Sequence, residues 1–233
     1  MKILYLIPPS EGKIIGGVLG KEELSFNFRK PLEFLESLTE NDLKCSGKRY
    51  EEALVCHKKI LLDKKQELLP AIERYSGVMY KAIDYEGITE KGRMYFDTYF
   101  FISSGLYGLL KPQDMIVNYK LPIEVKGLAL YWKDILTQRL RELKPDIIVD
   151  FLPESYKKMI DWKYLDIQVV HIDFYTIKDG FQKKLSHGVK KVKGEYIKNI
   201  CEKGITDIAD FPGYQIKISD MSIRCKVFDT ELL

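Results

Sequence analysis

Apolar runs closed by short polar turns dominate this chain. Ile3 to Ile7 are consecutive apolar positions ended by Pro8-Pro9, the pattern of a strand buried on both faces. Tyr99-Phe100-Phe101-Ile102 is a second such run, and it meets Ser103, Ser104 and Gly105. Asp146 to Phe151, Val169 to Ile172, Tyr214 to Ile218 and Cys225 to Phe228 read as further strands. Helical patterns lie between them. Leu128, Tyr131, Trp132, Ile135, Leu136, Leu140 and Leu143 recur at helical spacing until Pro145 stops them. Residues 48–62 read as a second helix, and 186–203 as an amphipathic one ended by Gly204. Shorter helices are expected at 30–37, 89–97 and 155–160. Gly16, Gly17 and Gly20 mark an irregular segment up to about residue 22. Alternating strands and helices predict an α/β (α+β) fold. No repeat, low-complexity stretch or Gly/Ser linker divides the chain, so a single domain over 1–233 is expected.

Composition places the chain among globular proteins, with 45% hydrophobic and 30% charged residues in a length of 233. No apolar run reaches the length of a signal core or a membrane span, and the expected location is cytoplasmic. Cys45, Cys56, Cys201 and Cys225 form no C-x-x-C pair and have no histidine at zinc spacing, so free thiols are expected, with neither metal nor cofactor.

Charge changes the picture once it is divided. Residues 178–203 hold eight lysines against three acids, a local charge of +5, while the whole chain carries only +3. Lys183, Lys184, Lys190, Lys191, Lys193 and Lys198 could neutralise phosphates, with Phe181 among them to stack on bases. Charge alone leaves a plain solvated helix face open.

Other polar residues stand at strand exits. Ser10, Glu11, Gly12 and Lys13 follow the first run, but the phosphate loop G-x-x-x-x-G-K-[ST] is absent. Ser103, Ser104, Gly105 and Gly108 follow another run, where glycines permit a tight turn or a ligand's approach to the backbone. Ser10, Lys13, Ser104, Tyr107, Lys111 and Asp114 are therefore pocket candidates for an enzyme acting on a nucleotide or nucleobase. Asp150 and Glu154 flank a third exit, where carboxylates could converge for acid–base work. His171, inside an apolar run, reads as a satisfied core histidine.

Several segments, in this order, resemble the YaaA family of peroxide-stress proteins. Ser103 to Pro112 with Asp114 and Tyr119 resembles its Ser-Gly-Leu-Tyr-Gly pattern. Ile7 to Lys13, Gly77 to Lys81, Tyr131 to Ile135, Asp150 to Tyr156 and Ser186 to Asn199 resemble further family elements, and residues 13–50 fit least well. The resemblance implies a cytosolic DNA-binding protein of the hydrogen peroxide response, with a single-domain α/β fold and a positively charged cleft. It also implies that peroxide- and iron-mediated damage is limited by lowering free iron. A helix-hairpin-helix attributed to the family would fall at residues 55–80. Single-stranded, duplex or structured DNA is the expected partner. Scattered histidines and the lack of a Glu-x-x-His motif argue against a di-iron site, so any effect on iron would be indirect.

Overall fold

A computed structural model describes residues 1–178, 181–219 and 221–228. Its strands are β1 (Ile3–Ile7), β2 (Val18–Gly20), β3 (Gln66–Pro70), β4 (Phe100–Ser104), β5 (Gly108–Leu110), β6 (Met115–Val117), β7 (Ile147–Asp150), β8 (Gln168–Lys178), β9 (Phe181–Lys184), β10 (Tyr214–Ser219) and β11 (Ser222–Phe228). Its α-helices are α1 (Glu40–Leu43), α2 (Lys48–Leu61), α3 (Ala71–Arg74), α4 (Val78–Ile83), α5 (Glu90–Tyr99), α6 (Leu128–Leu143), α7 (Glu154–Lys157) and α8 (Val189–Lys203).

The main sheet runs β10-β11-β8-β7-β1-β4-β5, with β9 added to β8, and a small second sheet runs β2-β3-β6. β4, β1, β7, β8 and β11 are mutually parallel, while β5, β9 and β10 pair antiparallel. Every residue of β1, β4 and β7 is buried, which accounts for their apolar runs, since a parallel strand covered on both faces has no solvent side; the polar residues Ser103, Ser104 and Asp150 come only at the C-terminal ends of β4 and β7. The fold is therefore mixed α/β, with a large sheet flanked by helices. Among the described residues, no helix is long and apolar enough to cross a membrane.

The periodic elements match the sequence reading closely. α6 spans the residues expected of it, with Trp132, Leu136 and Leu140 buried. α2 does so within a residue, and the 30–37 helix is a short 3-10 turn, Leu32–Leu35. Strands β2, β3, β5, β6 and β9 were not legible. Three of them are three residues long, and β9 is a fully exposed Phe-Gln-Lys-Lys segment whose only strand signal is its partner β8. The segment 14–22 thus contains a strand rather than only irregular chain. α8 starts at Val189, behind Gly188 in the left-handed conformation, not at Ser186. Over residues 55–80, β3 separates α2 from the single turn α3, so that stretch does not hold two full helices joined by a hairpin.

Candidate functional site

From central β1 the chain crosses to β4 on one side, and from neighbouring β7 it crosses to β8 on the other. Adjacent strands that send their exit loops in opposite directions leave a crevice at their C-terminal ends, where α/β sheets usually bind ligands. The loops after β1 and β7 supply the side chains gathered there.

The loop after β1 is zipped onto the turn between α3 and α4. Ser76 N–H donates to Gly12 O (3.0 Å), Ile14 N–H donates to Arg74 O (2.8 Å), and Tyr80 Oη donates to Pro8 O (2.9 Å). The two segments approach closely at Gly77, where a Cβ would stand 2.3 Å from Ser10 Oγ and would oblige the Ser10 side chain to shift. Beneath the zipper, Arg74 is fully buried, and its guanidinium donates to the carbonyls of Ile14, Glu67 and Ile116. One side chain thus ties the β1 exit loop to both β3 and β6.

Lys13 lies on this frame. Its ammonium donates to Ser10 O (3.0 Å) and lies 4.4 Å from the ring centre of Tyr119 and 5.4 Å from that of Tyr75. Burial lowers its pKa to about 7, the cations Lys120 and Arg74 push the same way, and Glu11 opposes them. The phenols below are hydrogen-bonded in series. Tyr75 Oη meets Tyr119 Oη at 2.8 Å, and Tyr119 Oη meets Ser104 Oγ at 2.8 Å. Ser104 Oγ accepts from the N–H groups of Leu106 (3.2 Å) and Tyr107 (3.0 Å), so its own hydrogen is free to go to Tyr119. Tyr80 and Tyr156 border the group closely enough to couple to Tyr119, and burial raises both phenols well above their usual range.

A second group follows β7 and β8, whose register sets Asp150 opposite His171. The Asp150 carboxylate is wholly buried; it accepts from Leu152 N–H (2.8 Å), meets His171 Nδ1 at 2.7 Å and lies 3.4 Å from Lys157 Nζ. Lys193 reaches in from α8 to donate to Phe151 O, and burial lowers its pKa to about 8. α8 can come this close because Gly194 packs on α4, where a Cβ would stand 2.3 Å from Met79 O. Asp173, two residues beyond His171, pairs with Lys184 (2.7 Å) and Arg224 (3.2 Å).

The structure divides the residues named from sequence. Lys13 and Ser104 come together at Tyr119, and Ser10 joins them through its carbonyl, which accepts from Lys13. The Tyr107 ring packs edge-on against Tyr119, but its hydroxyl turns to Glu22 and Val117 N–H. Lys111 stands apart, donating to Asp97 O and Thr98 O at the end of α5. Asp114 clamps a turn by accepting from Ser25 N–H, Ser25 Oγ and Lys111 N–H. The glycine segment faces inward, with Gly105 O accepting from Trp132 Nε1 (2.8 Å). Of the six lysines, Lys183, Lys184, Lys190 and Lys191 are exposed, Lys193 turns into the crevice, and Lys198 pairs with Asp84 (2.7 Å). His171 is not a sealed core residue: it is half-buried and bonded to Asp150. Arg74 and Tyr75 were missed, and nothing in the sequence marked them. A separate cleft of about 500 Å³ lies beside His171, lined among others by Trp162, Tyr164, Arg141, Lys163 and Ser222. Lys13 does not line it, and it holds no comparable chain of bonded hydroxyls. Among the described residues, no cluster of three or more His, Cys, Asp or Glu could hold a metal ion.

The chain is similar over much of its length to proteins already grouped together. It is 30% identical over 186 residues to a UPF0246 protein of Francisella philomiragia, covering 75% of this chain and 73% of that relative. It is 30% identical over 202 residues to a UPF0246 protein of Francisella tularensis subsp. mediasiatica, covering 78% and 80%. The sequence model described as peroxide stress protein YaaA matches residues 3–218. The chain therefore belongs to the YaaA family of peroxide stress proteins.

Proposed function

We propose that this protein serves the peroxide response by binding nucleic acid, largely without sequence choice, through a ridge formed by the β8–β9 hairpin and the first turn of α8. The observation that carries the reading is the hairpin itself. β8 continues beyond its pairing with β7, and with β9 it presents Phe181 (77% exposed) and Ile177 (58% exposed) beside Lys183 and Lys184. Lys190 and Lys191 are exposed at the start of α8. Exposed lysines around an aromatic ring suit a phosphate backbone with a stacked base, and nothing in the arrangement reads a base sequence. Limitation of peroxide damage would follow from occupancy of DNA, and any influence on iron would be indirect.

Fluorescence-anisotropy titration of single-stranded, duplex and junction DNA at several salt concentrations tests this. Binding that weakens steeply with salt and differs little between unrelated sequences is expected. Absence of binding at low salt would exclude the reading. The Lys13 group favours a second role at the same sheet edge, chemistry on a bound nucleotide.

A further inference from the structure

We infer that Lys13 is an amine nucleophile that forms an imine with the ring-opened C1′ aldehyde of an abasic deoxyribose in DNA. This inference rests on the nucleic-acid reading above and assigns that site a substrate. Two observations carry it. First, among the described residues the Lys13 ammonium has no carboxylate within ion-pair reach; its partners there are one carbonyl and two aromatic rings. An amine held this way is poorly solvated as a cation, and the charged groups that influence it are mainly other cations, Lys120 and Arg74, with Glu11 opposed. Second, the hydroxyl chain beneath it has a hydrogen left over. Ser104 spends its hydrogen on Tyr119, and one phenolic hydrogen bridges Tyr119 and Tyr75. The other phenolic hydrogen of that pair has no acceptor among the described residues. Burial holds both phenols protonated, so this donor persists at neutral pH.

A primary amine above an unspent hydroxyl donor suits addition to a carbonyl. The Nζ lone pair forms a bond to the aldehyde carbon, and the C=O π pair moves to oxygen, which accepts the phenolic hydrogen bond. A proton passes from nitrogen to oxygen to give the carbinolamine. The C–O bond then breaks, a second nitrogen proton leaves with that oxygen as water, and C=N forms. Aldehyde and amine thus give imine and water, with no oxidant or reductant. The DNA lesion follows from the placement. Lys13 follows β1, the lysine ridge extends from β8, and β7 stands between them in the sheet, with Lys193 bonded to Phe151 O just past its end. A sugar without a base is the nucleotide most easily turned out of a duplex, and it carries the aldehyde itself.

The test uses a duplex with one abasic site, the same duplex with a tetrahydrofuran analogue lacking the aldehyde, and an undamaged duplex. Each is incubated with the full chain and sodium cyanoborohydride, whose hydride reduces an imine to a stable secondary amine. The expected result is a covalent adduct with the abasic duplex only, mapped by peptide mass to Lys13 and reduced at least about tenfold in Lys13→Gln. Ser104→Ala, which removes the fixed end of the hydroxyl chain, is expected to slow trapping several-fold. It should leave binding to the tetrahydrofuran duplex unchanged. Adducts mapped to the ridge lysines, or trapping undiminished in Lys13→Gln, would overturn the inference. Binding of the tetrahydrofuran duplex without any adduct would overturn it while sparing the nucleic-acid reading; no binding to any duplex would remove both.

Discussion

Lys13 and Lys183 are the same residue type, and both stand near the C-terminal edge of one sheet. Lys13 is held over two phenol rings with its charge destabilised, whereas Lys183 lies on a fully exposed strand. The exposed lysine keeps its hydration and can exchange a counterion for a phosphate. The enclosed one has lost hydration without gaining a carboxylate among the described residues, which moves it toward the neutral, reactive form. The difference is made by Arg74, Gly77 and the tyrosines, none of them near residue 13 in the chain. A lysine count therefore locates the ridge and says nothing about the crevice.

The largest effect expected from separating these regions is on stability. Arg74→Leu strips the buried donors from three carbonyls and should cost about 3–5 kcal/mol in chemical denaturation. Lys183→Gln or Lys190→Gln on the ridge should stay within about 0.5 kcal/mol of the parent. Equal losses at Arg74 and Lys183 would erase the distinction. A smaller structural effect is expected at the helix contact. Gly194→Ala places a Cβ 2.3 Å from Met79 O, a backbone atom with little room to move, and should cost about 1–3 kcal/mol while displacing Lys193 from the crevice.

The pH dependence of stability sharpens the comparison further. The Lys13 pKa is about 7 in the folded chain against an ordinary 10.5. Between those values the unfolded chain binds more protons, so stability should rise with pH, and below about 7 the full cost of enclosing the cation remains. Lys111 and Lys193, both lowered to about 8, add to the same slope at its upper end. Denaturation at pH 6.5, 7.5, 8.5 and 9.5 should show the rise, by less than the ~1.4 kcal/mol per pH unit of one full proton per group, and Lys13→Met should flatten its lower part. A Lys13→Met profile parallel to the parent's would contradict the enclosed-cation account.

The smallest expected effect separates lysines within the ridge. Lys184 pairs with Asp173 (2.7 Å) and Lys191 with Glu195 (3.4 Å), so each must give up a carboxylate before meeting a phosphate. Single changes to Gln should reduce the slope of log affinity against log salt by about 0.9 at Lys183 and Lys190, and by less at Lys184 and Lys191.

How much the sequence disclosed follows the same division. Long periodic or unbroken apolar segments, Ile3–Ile7 and Leu128–Leu143 among them, were readable because one chain segment carries the whole signal. β3 and β6 were not, since these short strands are fixed by each other across almost fifty residues of chain, and β5 is a three-residue strand that pairs back on β4 across a tight turn. Of the candidate site, Ser10, Lys13 and Ser104 could be named from the sequence because strand exits mark themselves. Tyr80, Tyr119 and Tyr156 stood only in segments resembling the family, and Lys193 looked like one more ridge lysine. Its inward turn depends on Gly194 meeting α4, a tertiary contact that no local pattern encodes.

The most direct test of two lysine classes with two tasks is the salt dependence of duplex DNA binding in three proteins. These are the parent, Lys183→Gln/Lys184→Gln/Lys190→Gln/Lys191→Gln, and Lys13→Gln. The ridge variant is expected to lose most of its affinity and about three from the slope, while Lys13→Gln keeps both close to the parent. A ridge variant that binds like the parent, or a Lys13→Gln chain that loses as much as the ridge variant, would contradict the account.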